Sequence, residues 1–412
     1  MYFLIHFYYT DAGTLTRRGK KTFRQNRIYR RKQEEVMENW IQELYEKTTR
    51  KIEAEFERMG EKIPYITEGG RYQTDYGEKD IYWWTNGFWC GILWKMYHAT
   101  GEEKYRKRAE AVERRLDKAL YGFTGLHHDT GFMWLHSAVA NYRLTGNQEA
   151  RAKGLLAASI LAGRYNPAGK FIRAWNPECV EEGEDCTGWI IVDSMMNIPL
   201  LYWASSELND PRFYYIAKFH ADTVMKTLVR PDGSSGHIAC LDPDTGELLE
   251  IRGGQGYGAD SCWSRGLSWI LYGFALSYRY TKDQAYLDTA KRAAHYFISQ
   301  CAVTGYVPPC DFRQPENPPY TDASAGLCAA CGLLELSGHV KGREGEIFRE
   351  QAGLLVRSIA GHCGCWDLDK DSIIQGCKVD YHGGDKQTDL IYADYFLLEA
   401  QMRMMGNDFL IW

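Results

Sequence analysis

Residues 83–120 read WWTNGFWCGILWKMYHATGEEKYRKRAEAVERRLDKAL. The first half is a helix-length run that is apolar nearly all round, rich in Trp, Gly and Met. The second half is dense in Glu, Lys and Arg. A helix without a polar face belongs inside a protein, and a charged one belongs at its surface. Between them stands a turn, ATGEE, whose Gly and acidic residues suit a helix stop followed by a helix start. The stretch therefore reads as one hairpin, with an inner helix and an outer helix.

The same phrase returns along the chain. It is YRLTGNQEARAKG at 142–154, ASSELNDPRFYYIAKFHAD at 204–222, YRYTKDQAYLDTAKRAA at 278–294 and, more weakly, LELSGHVKGREGEIFREQA at 334–352. Each copy ends one helix, turns through Gly, Asn or Lys, and opens another. A recurrence every ~45 to 70 residues marks an array of helical hairpins. Twelve helices are expected, near 33–59, 83–99, 103–120, 132–145, 147–163, 189–206, 210–228, 262–280, 284–301, 321–337, 343–360 and 389–402. Six hairpins of this kind close an all-α (α/α)6 toroid. An open α-solenoid used for protein binding is the competing architecture. The irregular spacing speaks against it, as do the long inserts that carry the unusual residues, among them GLHHDTGF, FIRAWNPE and CDFRQPENPPYTD.

Bulk composition narrows the function. The net charge of −5 argues against a strongly basic nucleic-acid surface. The 13 Trp and 28 Tyr fit a site that stacks rings on sugars, and fit equally a large aromatic core. The 12 Cys show no regular spacing. Cys328 and Cys331 form C-x-x-C inside AGLCAACGLLEL, which reads as a buried helix, and no second pair accompanies them to hold zinc. No metal and no cofactor are expected, and unpatterned cysteines fit a reducing compartment. The opening MYFLIHFYYTDAG is short, lacks a basic start and runs into RRGKKTFRQNRIYRRK, so it is a poor export signal; no run of ~20 apolar residues offers a membrane span. Residues 1–32 are read as a poorly ordered arm, residues 33–412 as one ring domain, and the location as cytoplasmic.

Three stretches carry chemistry. In HHDTGFMW, 127–134, Asp129 stands just before a buried helix, where it either caps that helix or projects into the cavity. In GWIIVDSMMNIPLLYWAS, 188–205, Asp193 is expected inside an otherwise apolar helix. A carboxylate withdrawn from water is costly, and withdrawal favours the protonated form, the state a general acid requires. In GGQGYGADSCWSRGLSWILYGFA, 253–275, Arg265 is either a bidentate partner for a sugar carboxylate or one half of a structural salt bridge. The glycines there lack the Lys-Ser/Thr of a phosphate loop. No G-x-S-x-G and no H-E-x-x-H occurs. Two carboxylates, several histidines and many aromatics remain, which is a carbohydrate-type inventory.

At these stretches, and over residues 33–404, the chain resembles family 88 of the glycoside hydrolases, the unsaturated glucuronyl hydrolases. The resemblance rests on H-D-x-G-F at His128–Phe132, D-x-M-M-N at Asp193–Asn197 and Q-G-Y-x-x-D-S-x-W-x-R-G from Gln255 to Gly266. It implies an enzyme that hydrates the C4=C5 bond of an unsaturated uronic acid left by a lyase, with Asp193 as the acid that protonates C4 and Asp129 as the second essential carboxylate. It further implies substrate contacts from His128, Trp175, His237, Gln255, Arg265 and Trp269, with Trp83 or Trp84 near the cavity mouth. The implied partner is a small unsaturated uronic-acid oligosaccharide, with neither nucleic acid nor membrane, handled by a monomer or weak homodimer. Family members that prefer sulfated fragments carry Ser-x-x-Ser-x-Lys near the C-terminus. Here KVDYHGGDKQTDLIYADY, 378–395, places Asp380 and Gly383 at the serines and shifts Lys386 by one, which argues against a strong sulfate preference unless Lys378 or Lys386 compensates. A pectin-directed unsaturated rhamnogalacturonyl hydrolase is the enzymatic alternative, and a non-catalytic sugar- or protein-binding toroid the other.

Overall fold

A computed structural model of the chain describes residues 39–384, 386–407 and 409–412. The expected arm at 1–32 lies outside the described residues. Among them, twelve long helices build the body. They are α1 (39–59), α2 (Phe88–Thr100), α3 (Glu103–Gly122), α4 (130–145, with one π turn at Leu135–Val139), α5 (Gln148–Ala162), α6 (194–208, bent at Ile198–Pro199), α7 (Pro211–Leu228), α8 (Ser264–Thr281), α9 (Gln284–Ala302), α10 (Ala323–His339), α11 (Arg343–Cys363) and α12 (Ile391–Met404).

The recurring phrase has a physical basis. Gly101, Gly146, Asn209 and Lys282 end α2, α4, α6 and α8 in the left-handed conformation. Asn147, Asp210 and Asp283 then cap α5, α7 and α9 through their side chains. Inner and outer helices separate as their composition predicts. In α8 every residue from Ser264 to Ser277 is buried, whereas α3 buries a stripe of Tyr105, Ala109, Val112, Leu116 and Ala119.

The inner helices α2, α4, α6, α8, α10 and α12 pack in sequence, and α12 returns to pack on α2, which closes the ring. The outer partner of α12 is α1, to which Gln401 Nε2 donates at Thr48 Oγ1, 2.9 Å. Helical hairpins alternate direction, so all six inner helices run the same way. Their N-terminal ends meet at one rim, together with the long connections.

Those connections hold two small antiparallel sheets. One pairs β1 (Tyr165–Asn166) with β2 (Phe171–Ile172). The other has the order β3 (Trp189–Ile191), β4 (Ile238–Leu241), β5 (Leu248–Arg252), with Ile190 opposite Ala239 and Ile238 opposite Arg252. This sheet covers a satellite core of Ala174, Cys186, Trp189, Ile191, Ile238 and Cys240 beside the ring. The sheet corrects one expectation. The helix expected over 189–206 begins only at Ser194, because Trp189–Ile191 pairs with β4 instead. Cys328 and Cys331 are buried in α10, as the apolar run around them indicated. No helix among the described residues is long and apolar enough to cross a membrane.

Candidate active site

Asp129 occupies the N-cap position of α4, yet its side chain makes no capping bond. Asn197 caps the helix instead. Its Oδ1 accepts from the Phe132 N–H at 2.7 Å, while its Nδ2 donates to Asp129 Oδ1 at 2.9 Å and to the Asp193 carbonyl at 3.1 Å. This needs α4 and α6 to touch. A Cβ on Gly131 would stand 2.4 Å from the Asn197 backbone, so only glycine permits the approach. Of the two readings open for Asp129, capping is therefore excluded by the bond pattern.

Asp129 is 7% exposed and flanked by two histidines. His128 Nε2 lies 3.1 Å from Oδ1 and His127 Nδ1 lies 3.3 Å from Oδ2. His128 Nδ1 lies 2.8 Å from the Ala174 carbonyl, so both ring nitrogens face acceptors, an arrangement that favours the protonated ring. Burial opposes that charge, but the Asp129 carboxylate outweighs it and the ring's pKa lies above its ordinary value. Burial likewise works against the Asp129 charge, and His128, with His127 and Asn197, overrides it to hold that carboxyl below its usual range. His127 is pushed down to about 4 by burial and is neutral near pH 7. The ligand atoms of His127, His128 and Asp129 lie within 4.8 Å of one another, a spacing that could hold a cation. With His128 turned to two acceptors, the arrangement here is an ion pair.

Asp193 stands at the start of α6, immediately after β3, and is 8% exposed. It does not cap its helix either. Its Oδ2 is buried without a hydrogen-bond partner among the described residues and faces His237 Nε2 at 3.6 Å. The expected mid-helix position is thus corrected to a strand-to-helix turn. His237 belongs to the connection leading into β4. The turn Gly253–Gln255 wraps its far side, with the Gln255 N–H at 3.0 Å and the Gly253 carbonyl at 3.2 Å from Nδ1. At Gly254, φ is +53° and a Cβ would lie 2.2 Å from that nitrogen, so the wrap requires glycine.

The other expected residues divide. Trp175 is half-buried, with its ring 6.4 Å from His128 and 6.1 Å from Trp189. Gln255 is half-buried and donates through Nε2 to the Val379 carbonyl at 2.9 Å. Trp84 is half-buried against Phe132 and Tyr392. Trp269 is fully buried in α8 against Phe132 and Phe396, with no partner for its Nε1 among the described residues. Arg265, left open between a sugar-carboxylate partner and a structural salt bridge, is placed inside the protein. It is 1% exposed and pairs with Asp322, and it also donates to the Lys378 carbonyl at 2.7 Å and the Val379 carbonyl at 2.5 Å. Its guanidinium forms a salt bridge with Asp322 and holds the carbonyls of the 378–379 segment.

Asn197 stands in the D-x-M-M-N motif with no role evident from the sequence. Its signal was its place four residues after Asp193, one helical turn on. Asp322, which neutralises Arg265 and caps α10, carried no such signal.

Residues 56–302 match the model of Glycosyl Hydrolase Family 88. The chain is 36% identical to an unsaturated glucuronyl hydrolase of Bacillus sp. (strain GL1), over 84% of this chain and 92% of that protein. It is 30% identical to an unsaturated chondroitin disaccharide hydrolase of Streptococcus pneumoniae, over 90% of this chain and 93% of that protein. The solved unsaturated glucuronyl hydrolase from Streptococcus agalactiae superposes with a TM-score of 0.83 at 28% identity, covering 91% of this chain and 94% of that one. An α/α ring, two aspartates freed from capping, and relatives of this identity and coverage lead to one conclusion: the chain belongs to glycosyl hydrolase family 88.

Proposed function

We propose that the protein is an unsaturated glucuronyl hydrolase, removing the 4,5-unsaturated uronic acid from the non-reducing end of lyase-generated, glycosaminoglycan-type oligosaccharides. One observation carries the reading. At the rim where the inner helices begin, Asp129 is locked as a carboxylate, while Asp193 offers an unpartnered oxygen toward His237. Two carboxyl groups in unlike surroundings suit an acid and a stabiliser. The inner-helix N-termini and the His128 cation favour an anionic sugar at that rim.

In the proposed step, Asp193 gives its proton to C4 and a water oxygen bonds to C5, returning a proton to Asp193. The C5 hemiketal opens to a ketone, leaving C1 as a hemiacetal that expels the aglycone as an alcohol. One water is consumed and no cofactor is called for. His128, His237, Gln255 and Trp175 would contact the sugar, with Trp84 and Trp269 in the wall and Arg265 supporting it. The scattered, unpatterned cysteines of the sequence fit a reducing compartment, and a cytoplasmic location is proposed on that composition.

The test follows the ultraviolet absorbance of the conjugated uronate in unsaturated chondroitin disaccharides, for wild type and Asp193→Asn, with and without a chelator. Loss of absorbance that requires Asp193 and survives chelation is expected. Turnover confined to unsaturated rhamnogalacturonan fragments would put the pectin-directed alternative in its place, and no turnover of either would leave a binding toroid.

A further inference from the structure

Neither aspartate caps its helix, so something else must hold the Asp193 turn. Ser194 Oγ donates to the Ile191 carbonyl at 2.6 Å, a short bond that brackets Val192 and Asp193. Ser194 Oγ in turn stands 2.7 Å from Nε2 of His220, which reaches inward from the outer helix α7. His220 Nδ1 accepts from the Ile172 N–H in β2 at 2.9 Å. With Nδ1 accepting, the ring proton sits on Nε2, so each bond has one direction: Ile172 N–H to His220, His220 to Ser194, Ser194 to Ile191. Both side chains are essentially without exposure, at 0% for His220 and 1% for Ser194. Burial pushes His220 down to about 3, so the ring is neutral at working pH and the chain of bonds does not titrate there.

We infer that His220 and Ser194 are positioning residues that aim the Asp193 carboxyl, tying its turn to β2 and α7. A buried, neutral histidine would otherwise be core filling. Here both of its nitrogens are used, one on the first residue of α6 and one on β2. The aim of the carboxyl matters because a displacement of ~1 Å at a reacting group can cost on the order of 100-fold in rate. This inference rests on the proposed role of Asp193.

The experiment measures kcat and KM on the unsaturated disaccharide for wild type, Asp193→Asn, Ser194→Ala, His220→Leu, His220→Gln and the Ser194→Ala/His220→Leu double variant, with a thermal melt of each. Ser194→Ala deletes one oxygen and tests the chain even if His220→Leu does not fold. The expected result is a fall in kcat of roughly 10-fold or more for Ser194→Ala and His220→Leu, with KM within about 3-fold. His220→Gln, whose amide can still donate to Ser194, should recover part of the loss. The double variant should be little worse than the poorer single one, since both break one chain. Folded Ser194→Ala with wild-type kcat, or a change confined to KM, overturns the inference. Wild type inactive on every unsaturated substrate overturns the functional reading instead, so the two failures are distinct.

Discussion

Asn197 Nδ2 lies 2.9 Å from Asp129 Oδ1, and the same amide accepts the Phe132 N–H that Asp129 would otherwise cap. The asparagine thereby takes over the helix end and frees the aspartate, while its second donor bond, to the Asp193 carbonyl, links the two acids. Asn197→Asp keeps an acceptor for Phe132 but sets a carboxylate against Asp129. Like charges raise each other's pKa. We expect kcat to fall by ~10-fold or more and the acid limb of the kcat/KM profile to move to higher pH. A pH–rate profile beside a melting curve checks both.

The Asp129–His128 pair gives a two-sided stability signature. The folded His128 value is raised, so its contribution is complete below the unfolded value of about 6.5 and is lost as pH rises through the folded one. The folded Asp129 value is depressed, so its contribution is complete above about 4 and is lost as pH falls through the folded one. His128→Gln should lower the melting temperature most between those limits and less on either side. Melts across the pH range read this directly.

Asp394, in α12, is pushed up to about 7 by burial, against the Ile373 and Ile374 N–H groups it accepts. Its unfolded counterpart ionises near about 4, so the fold loses stability as pH rises from there through the folded value. Asn at 394 retains an oxygen for both N–H groups. Asp394→Asn should therefore gain melting temperature relative to wild type as pH rises from about 5 to about 8.

Arg265 and Asp322 are both buried, and removing one leaves the other unpaired. Arg265→Gln is expected to cost about 3–5 kcal/mol of stability. It also releases the 378–379 segment, so denaturant unfolding should register the change more strongly than KM does. A variant of wild-type stability that has lost substrate affinity would return Arg265 to the role of a carboxylate clamp.

The C-terminal loop bears on sulfate. Lys378 is 1% exposed, with its ammonium on the Gly384 carbonyl and over the Tyr320 ring at 4.3 Å, and so is committed within the protein. Asp380 turns its carboxylate toward Gly383, where a Cβ would meet Oδ2 at 2.5 Å. Unsulfated disaccharides should be the faster substrates, and Asp380→Ser should raise kcat/KM on sulfated ones selectively. A substrate panel with both proteins decides this.

The ring was legible in the sequence because local rules produce it. An all-apolar helix has to go inside, a charged one outside, and Gly, Asn or Lys in the left-handed conformation turns the chain between them at four of the five recurrences, which predicts these hairpins without any knowledge of contacts. The motifs likewise exposed Asp129 and Asp193, since acids beside apolar helices are conspicuous, whereas His237 came only with the family resemblance. Partnership was not legible. Asn197 reaches Asp129 across 68 positions, Arg265 meets Asp322 across 57, and His220 meets Ser194 across 26. No periodicity encodes which polar groups meet once the ring closes. That closure decided that Arg265 is saturated by protein, that Trp189–Ile191 forms a strand and not a helix, and that both aspartates are spared from capping. A buried hydrogen bond is settled by which donors and acceptors are brought within reach, and only the tertiary packing brings them there.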